Sequence, residues 1–471
     1  MEWPIYKKSL LKVGNLESNV GLCTLWTEKE KILEKVSSEN YLIAGQCYSK
    51  SEGISLIIRH ALANKKLSKI ILCGADLNNT GDAILALKEK GIDNDKNISG
   101  YEAEIENEIP KEAIERFRQN IEIIDKRNVK DYSSIDDFLK TFPKKEAWGE
   151  PEIYLRIAPK APEMYPSEKT GFVVRGKKVG DVWLNILDTI TRFGHIKKSK
   201  YSDDQQEICG LMSIITEEDA KNIDWKPYFQ FTKEHFEKYL PQLMSADIIE
   251  DVSYTYGSRL RNFKGINQID AIIEDLKSAF FSRRAIAFTW DVEQDYNNKH
   301  APCLGLIHAL GQDKLHITAY IRSNDMFGAW PENALALRNI QYEIAEKIPA
   351  EIGDLIIFSN SAHIYESDWN KAEKILEQYP IKLRKEPDTR GNILIEIENS
   401  KLKVSHLSPS GRLINEFYAD SAKEAYTKIA ESQMISQISH ALDIGIELGK
   451  AETALKEGRI YIQDKPLEKN K

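Results

Sequence analysis

Cys303 is the residue in this chain whose surroundings best suit chemistry. It lies in Ala301-Pro-Cys-Leu304, and the polar residues Arg322, Asn333 and His363 follow it. A thiolate is a nucleophile, and a nearby arginine lowers the thiol pKa from its ordinary value of about 8.5. The sequence therefore predicts nucleophilic catalysis by Cys303, with Arg322 favouring the thiolate. The other four cysteines have no such company and read as small buried apolar residues.

The polar residues near Cys303 suit a ligand with a phosphate and an amide edge. Arg283, Arg284 and Arg322 can form bidentate bonds to phosphate, and Ser323 can add a hydroxyl donor. An Arg-Arg pair is also common on a solvated surface. Asn333 carries both a donor and an acceptor, as the edge of uracil requires, whereas an aspartate would suit cytosine. Uracil is therefore the expected base.

Strand and helix patterns predict the elements that position these residues. Apolar runs predict strands over 285–290, 303–310 and 314–321, and helical spacing predicts helices over 182–193, 232–244 and 269–280. His363 and Tyr365 alternate along a strand, so they share one face and could both bond a sugar hydroxyl. A structural pair at a sheet edge is the alternative for these two.

The chain should form several domains because 471 residues exceed what one core usually organises. We predict an α/β and α+β multidomain protein with domains 1–165, 166–380 and 381–471. The first is a Rossmann-like α/β domain, with a strand over 69–74 and a helix over 53–64, and it ends in a proline-rich connection. The second is a mixed α+β domain. The third is a small module with a β-hairpin within 392–416 and helices within 421–457.

Composition excludes several classes of function. A formal charge of -8 argues against nucleic acid as a partner, and no apolar run is long enough to span a membrane. The N-terminus lacks the order of a secretory signal, and five scattered cysteines without a CxxC pair form neither a disulfide framework nor a zinc ribbon. We expect a cytoplasmic protein without a metal.

Six separated motifs resemble one enzyme family. In order they are Tyr254-Thr-Tyr-Gly257, Ser282-Arg-Arg284, Ala301-Pro-Cys303, Arg322-Ser-Asn-Asp325, Pro331-Glu-Asn333 and His363-Ile-Tyr365. Their order over about 175–370 resembles the thymidylate synthase family, especially its archaeal branch. The resemblance implies that dUMP and a reduced pterin are the substrates. The pterin would be 5,10-methylene-tetrahydrofolate or 5,10-methylene-tetrahydromethanopterin.

The resemblance also implies a role for each residue. Cys303 adds to C6 of the base, Asn333 stabilises the enolate, Tyr256 helps to remove the C5 proton, and Asp325 contacts the pterin. Arg322 and Ser323 bind the phosphate, His363 and Tyr365 bind the ribose, and Arg283 and Arg284 reach the neighbour's phosphate site in a homodimer. For the family's catalytic glutamate, Glu237 is the candidate and Glu234 the runner-up, although a solvated helix glutamate is the alternative for both.

The flanking regions bring other resemblances. Thr80-Gly-Asp82 and Ile109-Pro-Lys-Glu-Ala-Ile-Glu-Arg-Phe117 resemble the corrinoid-carrying A component of tetrahydromethanopterin S-methyltransferase. The loop 75–80 contains no histidine, which argues against an axial histidine to cobalt. The C-terminal region resembles an uncharacterised archaeal domain. Two functions compete with methylation of dUMP: hydroxymethylation of a pyrimidine deoxynucleotide, and non-catalytic binding of a pterin or corrinoid.

Overall fold

The computed structural model describes the chain at residues 3–101, 103–143, 145–157, 164–199, 204–249, 252–298, 300–381 and 387–467. The chain divides into two compact units, Met1–Pro380 and Ile381–Lys471. Within the described ranges the strands form three sheets, and helices alternate with strands along the chain, so the protein is of the mixed α/β type with several domains. In those ranges no helix combines the length and apolarity needed to cross a membrane.

The first sheet lies in the N-terminal part of the first unit. Its strands are β1 (Lys12–Val13), β2 (Val20–Cys23), β3 (Ile43–Gly45), β4 (Lys69–Leu72) and β5 (Glu122–Asp125). The α-helices are α1 (Lys29–Leu33), α2 (Glu52–Ala63), α3 (Thr80–Lys90), α4 (Lys111–Asn120) and α5 (Ser133–Leu139). The spatial order is β1-β3-β2-β4-β5, and the last four strands are parallel. All four residues of β4 are buried, which explains the apolar run Ile70-Ile-Leu72 after Lys69.

The second sheet belongs to the rest of the first unit. Its strands are β6 (Thr170–Gly176), β7 (His195–Lys198), β8 (Asp204–Ile215), β9 (Ile286–Phe288), β10 (Leu304–Gly311), β11 (Leu315–Asp325) and β12 (Ile352–Tyr365). Its order is β6-β8-β12-β11-β10-β9, and β7 pairs with β8. Strands β11 and β12 are parallel, as are β6 and β8, whereas the other pairs are antiparallel.

Eight α-helices accompany the second sheet in the described part of the first unit. They are α6 (Val179–Phe193), α7 (Lys233–Tyr239), α8 (Pro241–Met244), α9 (Tyr256–Arg261), α10 (Gln268–Ser278), α11 (Val292–Asp295), α12 (Trp330–Lys347) and α13 (Trp369–Gln378). The single helix predicted over 232–244 is two helices, because Pro241 has no amide N–H to continue α7. Trp183 on α6 and Trp330 on α12 are fully buried in the core between helices and sheet.

The two faces of the second sheet differ in burial. Along β10, Ile307 and Ala309 are fully buried, whereas the alternate residues Leu306 and His308 are half-buried. The same alternation runs along β11, where Ala319 is buried and Tyr320 half-buried. One face of the sheet therefore packs into the core, and the other presents partly accessible apolar side chains.

The second unit contains the third sheet. Its strands are β13 (Asn392–Glu398), β14 (Lys401–Leu407) and β15 (Leu413–Ala419), paired antiparallel in chain order, and its helices are α14 (Ala422–Glu431) and α15 (Ile438–Glu457). The prediction of one hairpin over 392–416 missed a turn. Asn399 and Ser400 have φ of 50° and 58° and turn the chain between β13 and β14.

Candidate active site

The segment before β10 holds Cys303 beside the end of β11. Leu304 pairs with Ile321, and the backbone N–H of Arg322 donates to the carbonyl of Cys303 at 2.9 Å. The register shifts between Leu304 and Leu306, which is a local irregularity of the kind often found beside active sites. Strand pairing therefore fixes Arg322 next to Cys303.

Arg322 also braces the segment that carries Cys303. Its Nε donates to the Pro302 carbonyl at 2.9 Å and its Nη2 to the Ala301 carbonyl at 2.7 Å. The guanidinium lies over the Trp290 ring, 5.5 Å from the centroid. Nη1 has no partner among the residues that the structure describes, so Arg322 retains a donor for an anion.

The pKa of Cys303 is set by two opposing effects. Burial raises the thiol pKa above its ordinary value, and the charge of Arg322 lowers it in part. Arg322 thus acts in the predicted direction, but the prediction of a net lowered pKa is wrong, because desolvation of the thiolate outweighs the neighbouring charge.

Tyr256 lies against the same segment. It begins α9, whose start is fixed by reciprocal bonds between Thr255 and Ser258. The backbone N–H of Leu304 donates to the Tyr256 hydroxyl at 3.3 Å. Burial and the nearby Cys303 raise the pKa of Tyr256, so its hydroxyl stays protonated. Gly257 is required here, because a Cβ would lie 2.0 Å from the Ser245 carbonyl.

Asn333 lies in the first turn of α12 and contacts a residue that sequence reasoning missed. The hydroxyl of Tyr239, at the end of α7, donates to Asn333 Oδ1 at 2.6 Å. One turn earlier on α7, His235 Nε2 lies 3.0 Å from Glu332 Oε1. His235 and Tyr239 are four residues apart and share a helix face, a spacing that could have drawn attention to them.

Glu237 and Glu234 lie on the other side of α7. The Glu237 side chain is 62% exposed and its carboxylate is 3.8 Å from Lys233 Nζ. Glu234 is also exposed. Because Phe236 is buried between them and the core, the helix turns these glutamates to solvent and Tyr239 toward Asn333. The structure brings neither predicted glutamate to the cluster around Cys303.

His363 and Tyr365 lie near the end of β12 with their rings in edge contact, 4.9 Å apart. Ser361 Oγ donates to Glu207 Oε2 and lies 3.2 Å from His363 Nδ1. Because the only hydroxyl hydrogen of Ser361 goes to the carboxylate, His363 Nδ1 must be the donor to Ser361. Burial lowers the pKa of His363, so the ring is neutral and Nε2 is left as an acceptor.

Asp325 ends β11 beside His363, with which it pairs across to β12. Its Oδ1 accepts from the backbone N–H groups of Phe327 and Gly328 at 3.0 and 3.1 Å. Burial, with a smaller effect of Asp368, raises the pKa of Asp325 to about 6. Oδ2 has no hydrogen-bond donor among the described residues, so this carboxylate retains an acceptor for a ligand.

The other residues predicted to bind phosphate, Ser323, Arg283 and Arg284, do not lie together. Ser323 lies half-buried on β11 between Arg322 and Asp325. Arg283 and Arg284 are exposed in the loop between α10 and β9, and their guanidinium groups have no partner within the described parts of the chain. Within those parts no contact joins them to Cys303 or Arg322, so a single chain does not bring the whole predicted phosphate site together.

In the N-terminal domain, charged side chains of the chain itself occupy the loop that follows β4. Asp76, after β4, accepts from the N–H groups of Gly81 and Asp82 at the start of α3 and from Arg127 at 2.7 Å. The helix N-terminus that could bind an anion is therefore occupied by a carboxylate of the chain itself. His60 is only 6% exposed, and burial lowers its pKa to about 4.

Three family models match the chain in succession. The model for the A component of Tetrahydromethanopterin S-methyltransferase matches residues 1–155, and the one described as Thymidylate synthase matches residues 208–413. The model PterinBD-DUF4346 matches residues 387–464.

Relatives named "Putative thymidylate synthase" match the middle of the chain. The protein from Methanosarcina barkeri is 35% identical over 209 residues, covering 44% of this chain and 95% of the relative. That from Methanosarcina mazei is 34% identical over 213 residues, covering 44% and 95%. That from Methanothermobacter marburgensis is 38% identical over 215 residues, covering 42% and 96%. The chain thus contains nearly the whole length of these proteins together with flanking regions.

Proposed function

The chain belongs to the thymidylate synthase family, and from this premise we propose that its central domain converts dUMP to dTMP with a methylene-tetrahydropterin. The observation that carries the proposal is the nucleophile arrangement, in which Arg322 braces the carbonyls before Cys303 and Tyr256 lies against the following amide. A pure binding module would have no need for a thiol held between these groups.

The residues of the chain support a covalent mechanism. Cys303, once deprotonated, forms a bond from sulfur to C6 of the uracil, and the C5–C6 π electrons move toward O4. Asn333 donates to that oxygen as negative charge develops on it. After C5 has taken the new carbon, Tyr256 orients the water that accepts the C5 proton, and cleavage of the C6–S bond regenerates the thiolate. When bound, the pterin supplies the methylene carbon and a hydride.

Asp325 is the proposed contact to the pterin. Its Oδ1 is held by two backbone donors, and its Oδ2 is left to accept from an N–H of a pterin ring. The match of residues 1–155 to a component of a tetrahydromethanopterin methyltransferase favours a donor of the tetrahydromethanopterin class over a folate.

We propose that the enzyme is a homodimer with a shared phosphate site. Arg283 and Arg284 are exposed and lack partners in the described chain, as expected for groups that act on a neighbouring protomer. Arg322, Ser323, His363 and Tyr365 would bind the phosphate and ribose from the protomer's own side. The half-buried apolar face of the second sheet, which includes the stacked rings of Tyr320 and Phe358, supports association through that face.

The N-terminal domain is proposed to be a Rossmann-like docking or scaffolding element. Its parallel order β3-β2-β4-β5 supports that fold. Binding of corrinoid through an axial histidine is not part of this proposal, because His60 is buried on α2 and Asp76 with Arg127 fills the loop after β4.

The test is the variant Cys303→Ala in the full chain. It should bind dUMP within about tenfold of the wild type, since the phosphate and base contacts remain, but should form neither dTMP nor a covalent adduct with 5-fluoro-dUMP. Cys209→Ala is the matched control and should keep both activities, because Cys209 is exposed, whereas the sequence predicted it to be buried like Cys23, Cys47 and Cys73. Production of dTMP by Cys303→Ala would refute the mechanism, and 5-hydroxymethyl-dUMP as the wild-type product would favour the hydroxymethylase.

A further inference from the structure

The contact between Tyr239 and Asn333 joins two distant parts of the central domain. Tyr239 ends α7 and Asn333 lies in the first turn of α12, 94 residues later. Their separation of 2.6 Å fits an O–H···O bond and is shorter than the usual range of an N–H···O bond. The amide oxygen, and not its nitrogen, faces the phenol, and the distance is consistent with that orientation.

The orientation of an amide matters for reading a pyrimidine. Uracil presents an N3–H donor beside the O4 acceptor, whereas cytosine presents an N3 acceptor beside an N4 donor. An asparagine that turns its amide by 180° exchanges its donor and acceptor and can match either base. Discrimination therefore requires that one orientation of Asn333 be held against the other.

We propose that Tyr239 is a positioning residue that sets base specificity by holding the amide of Asn333 in the orientation that reads uracil. This inference rests on the proposed function and adds a determinant of its substrate choice. The phenol donates to Oδ1 and leaves Nδ2 free to donate to O4 of the base. The second lone pair of Oδ1 remains available to accept from N3–H.

The helix α7, which carries Tyr239, is itself fixed close to Asn333. His235 and Glu332 join α7 to α12 one residue before Asn333 and one helical turn before Tyr239. Phe236, which follows His235 on α7, is 3% exposed and anchors this helix in the core. Burial, with a smaller contribution from Glu332, raises the pKa of Tyr239 well above its ordinary value, so the hydroxyl remains a donor across the working pH range.

The experiment measures Kd for dUMP and for dCMP on the full chain carrying Tyr239→Phe. Loss of the hydroxyl frees Asn333 to turn, so the ratio of the dCMP Kd to the dUMP Kd should fall about fivefold to tenfold. Tyr342→Phe is the matched control, because this tyrosine lies on α12, the helix that carries Asn333, but its hydroxyl bonds to Asp219 instead. The control should keep the wild-type ratio.

Two additional variants separate positioning from a structural role. In an Asn333→Ala background, Tyr239→Phe should leave the ratio unchanged, since no amide remains to be oriented. His235→Ala keeps the Tyr239 hydroxyl but removes the contact between His235 and Glu332. It should therefore lower the ratio of the dCMP Kd to the dUMP Kd by less than Tyr239→Phe does. If Tyr239→Phe does not fold, His235→Ala still tests the proposal through the same ratio.

The outcomes distinguish the two levels of the argument. A wild type that binds neither nucleotide, or binds them equally, would refute the proposed function and the inference with it. A wild type that prefers dUMP, with Tyr239→Phe weakening both nucleotides equally or leaving the ratio unchanged, would overturn the role of Tyr239 alone. A narrowed ratio in Tyr239→Phe that disappears in the Asn333→Ala background would support it.

Discussion

Burial acts on two residues whose charged forms the proposed reaction uses. It raises the pKa of the Cys303 thiol, and it raises the pKa of Asp325 to about 6. A buried charge costs free energy unless it is paired or hydrogen-bonded. Arg322 offsets part of this cost at Cys303, and the amides of Phe327 and Gly328 offset part of it at Asp325. Burial of these two groups therefore lowers the stability of the folded protein when they are charged, while leaving them available to a ligand.

Asp325→Asn should reveal this expense as a pH-dependent gain in stability. Below the unfolded pKa of about 4 the carboxyl is protonated in both states and contributes no difference. As pH rises from about 4 to about 6, the unfolded state ionises this group, whereas the folded wild type holds it buried with a pKa about two units higher. The wild type thus loses up to ~3 kcal/mol, which the asparagine variant retains.

Hydrogen exchange of central-domain peptides at pH 4 and pH 7 is the measurement for Asp325→Asn. The difference between variant and wild type should grow toward pH 7, and pterin-dependent turnover should fall. A stability difference of equal size at both pH values would contradict the assignment of the raised pKa to Asp325.

At the scale of elements, strand pairing brings the ribose-binding candidates to the site. Strand β12 pairs with β8 so that His363 lies opposite Glu207, and Ser361 connects the two side chains. This series of bonds fixes the tautomer of His363. A neutral histidine with Nδ1–H bound to Ser361 presents Nε2 as an acceptor for a sugar hydroxyl.

Ser361→Ala should therefore weaken recognition of the 3′-hydroxyl. Without the Ser361 hydroxyl, no acceptor holds the proton on Nδ1 of His363, so the tautomer is no longer fixed. The preference for dUMP over its 3′-deoxy analogue should then fall by up to about tenfold. Competition binding of the two nucleotides provides the ratio. Ser359→Ala is the control, since Ser359 lies on the same strand but bonds to Asn324. An unchanged ratio in Ser361→Ala would exclude the role in tautomer selection.

Elements with a regular pattern could be predicted from the sequence. Apolar alternation predicts strands over 303–310 and 314–321, and β10 and β11 occur as Leu304–Gly311 and Leu315–Asp325, because one buried face imposes a period of two. The contact of Arg322 with the Cys303 segment follows from that pairing. Local patterns are enough to predict this contact because β10 and β11 follow one another in the sequence.

Other features depend on information that local patterns lack. Tyr239 meets Asn333 only because α7 lies near α12; the spacing of His235 and Tyr239 indicates a shared helix face but not what that face contacts. Glu237 has the residue type that the site requires, but the face of α7 on which it lies decides its exposure. In the second unit, Pro409 and Gly411 are the conspicuous turn residues, whereas a further turn lies at Asn399, where a non-glycine residue adopts the left-handed region.

At the scale of the whole molecule, the arginine pair and the half-buried sheet face point to association of two chains. The exposed guanidinium groups of Arg283 and Arg284 are suited to bind an anion, but within the described residues they make no contact with the segment that carries Cys303. In a two-fold symmetric dimer, an arginine of each protomer that reaches the neighbour's site is matched by the same arginine of the neighbour at the protomer's own site. The proposed phosphate site is then completed only in the assembly.

Mixing two inactive variants tests this arrangement. Arg284→Ala leaves Cys303 intact but deprives the neighbour of an arginine, and Cys303→Ala leaves Arg284 intact but has no nucleophile. In a heterodimer, the site that contains the intact Cys303 receives Arg284 from the Cys303→Ala protomer, so one site of two should work. After the protomers have exchanged, dTMP formation should rise to at most about a quarter of wild type, because half the dimers in a random mixture are heterodimers. Exchange verified by mass spectrometry of differently tagged protomers, with no gain in activity, would show that each protomer builds its phosphate site alone.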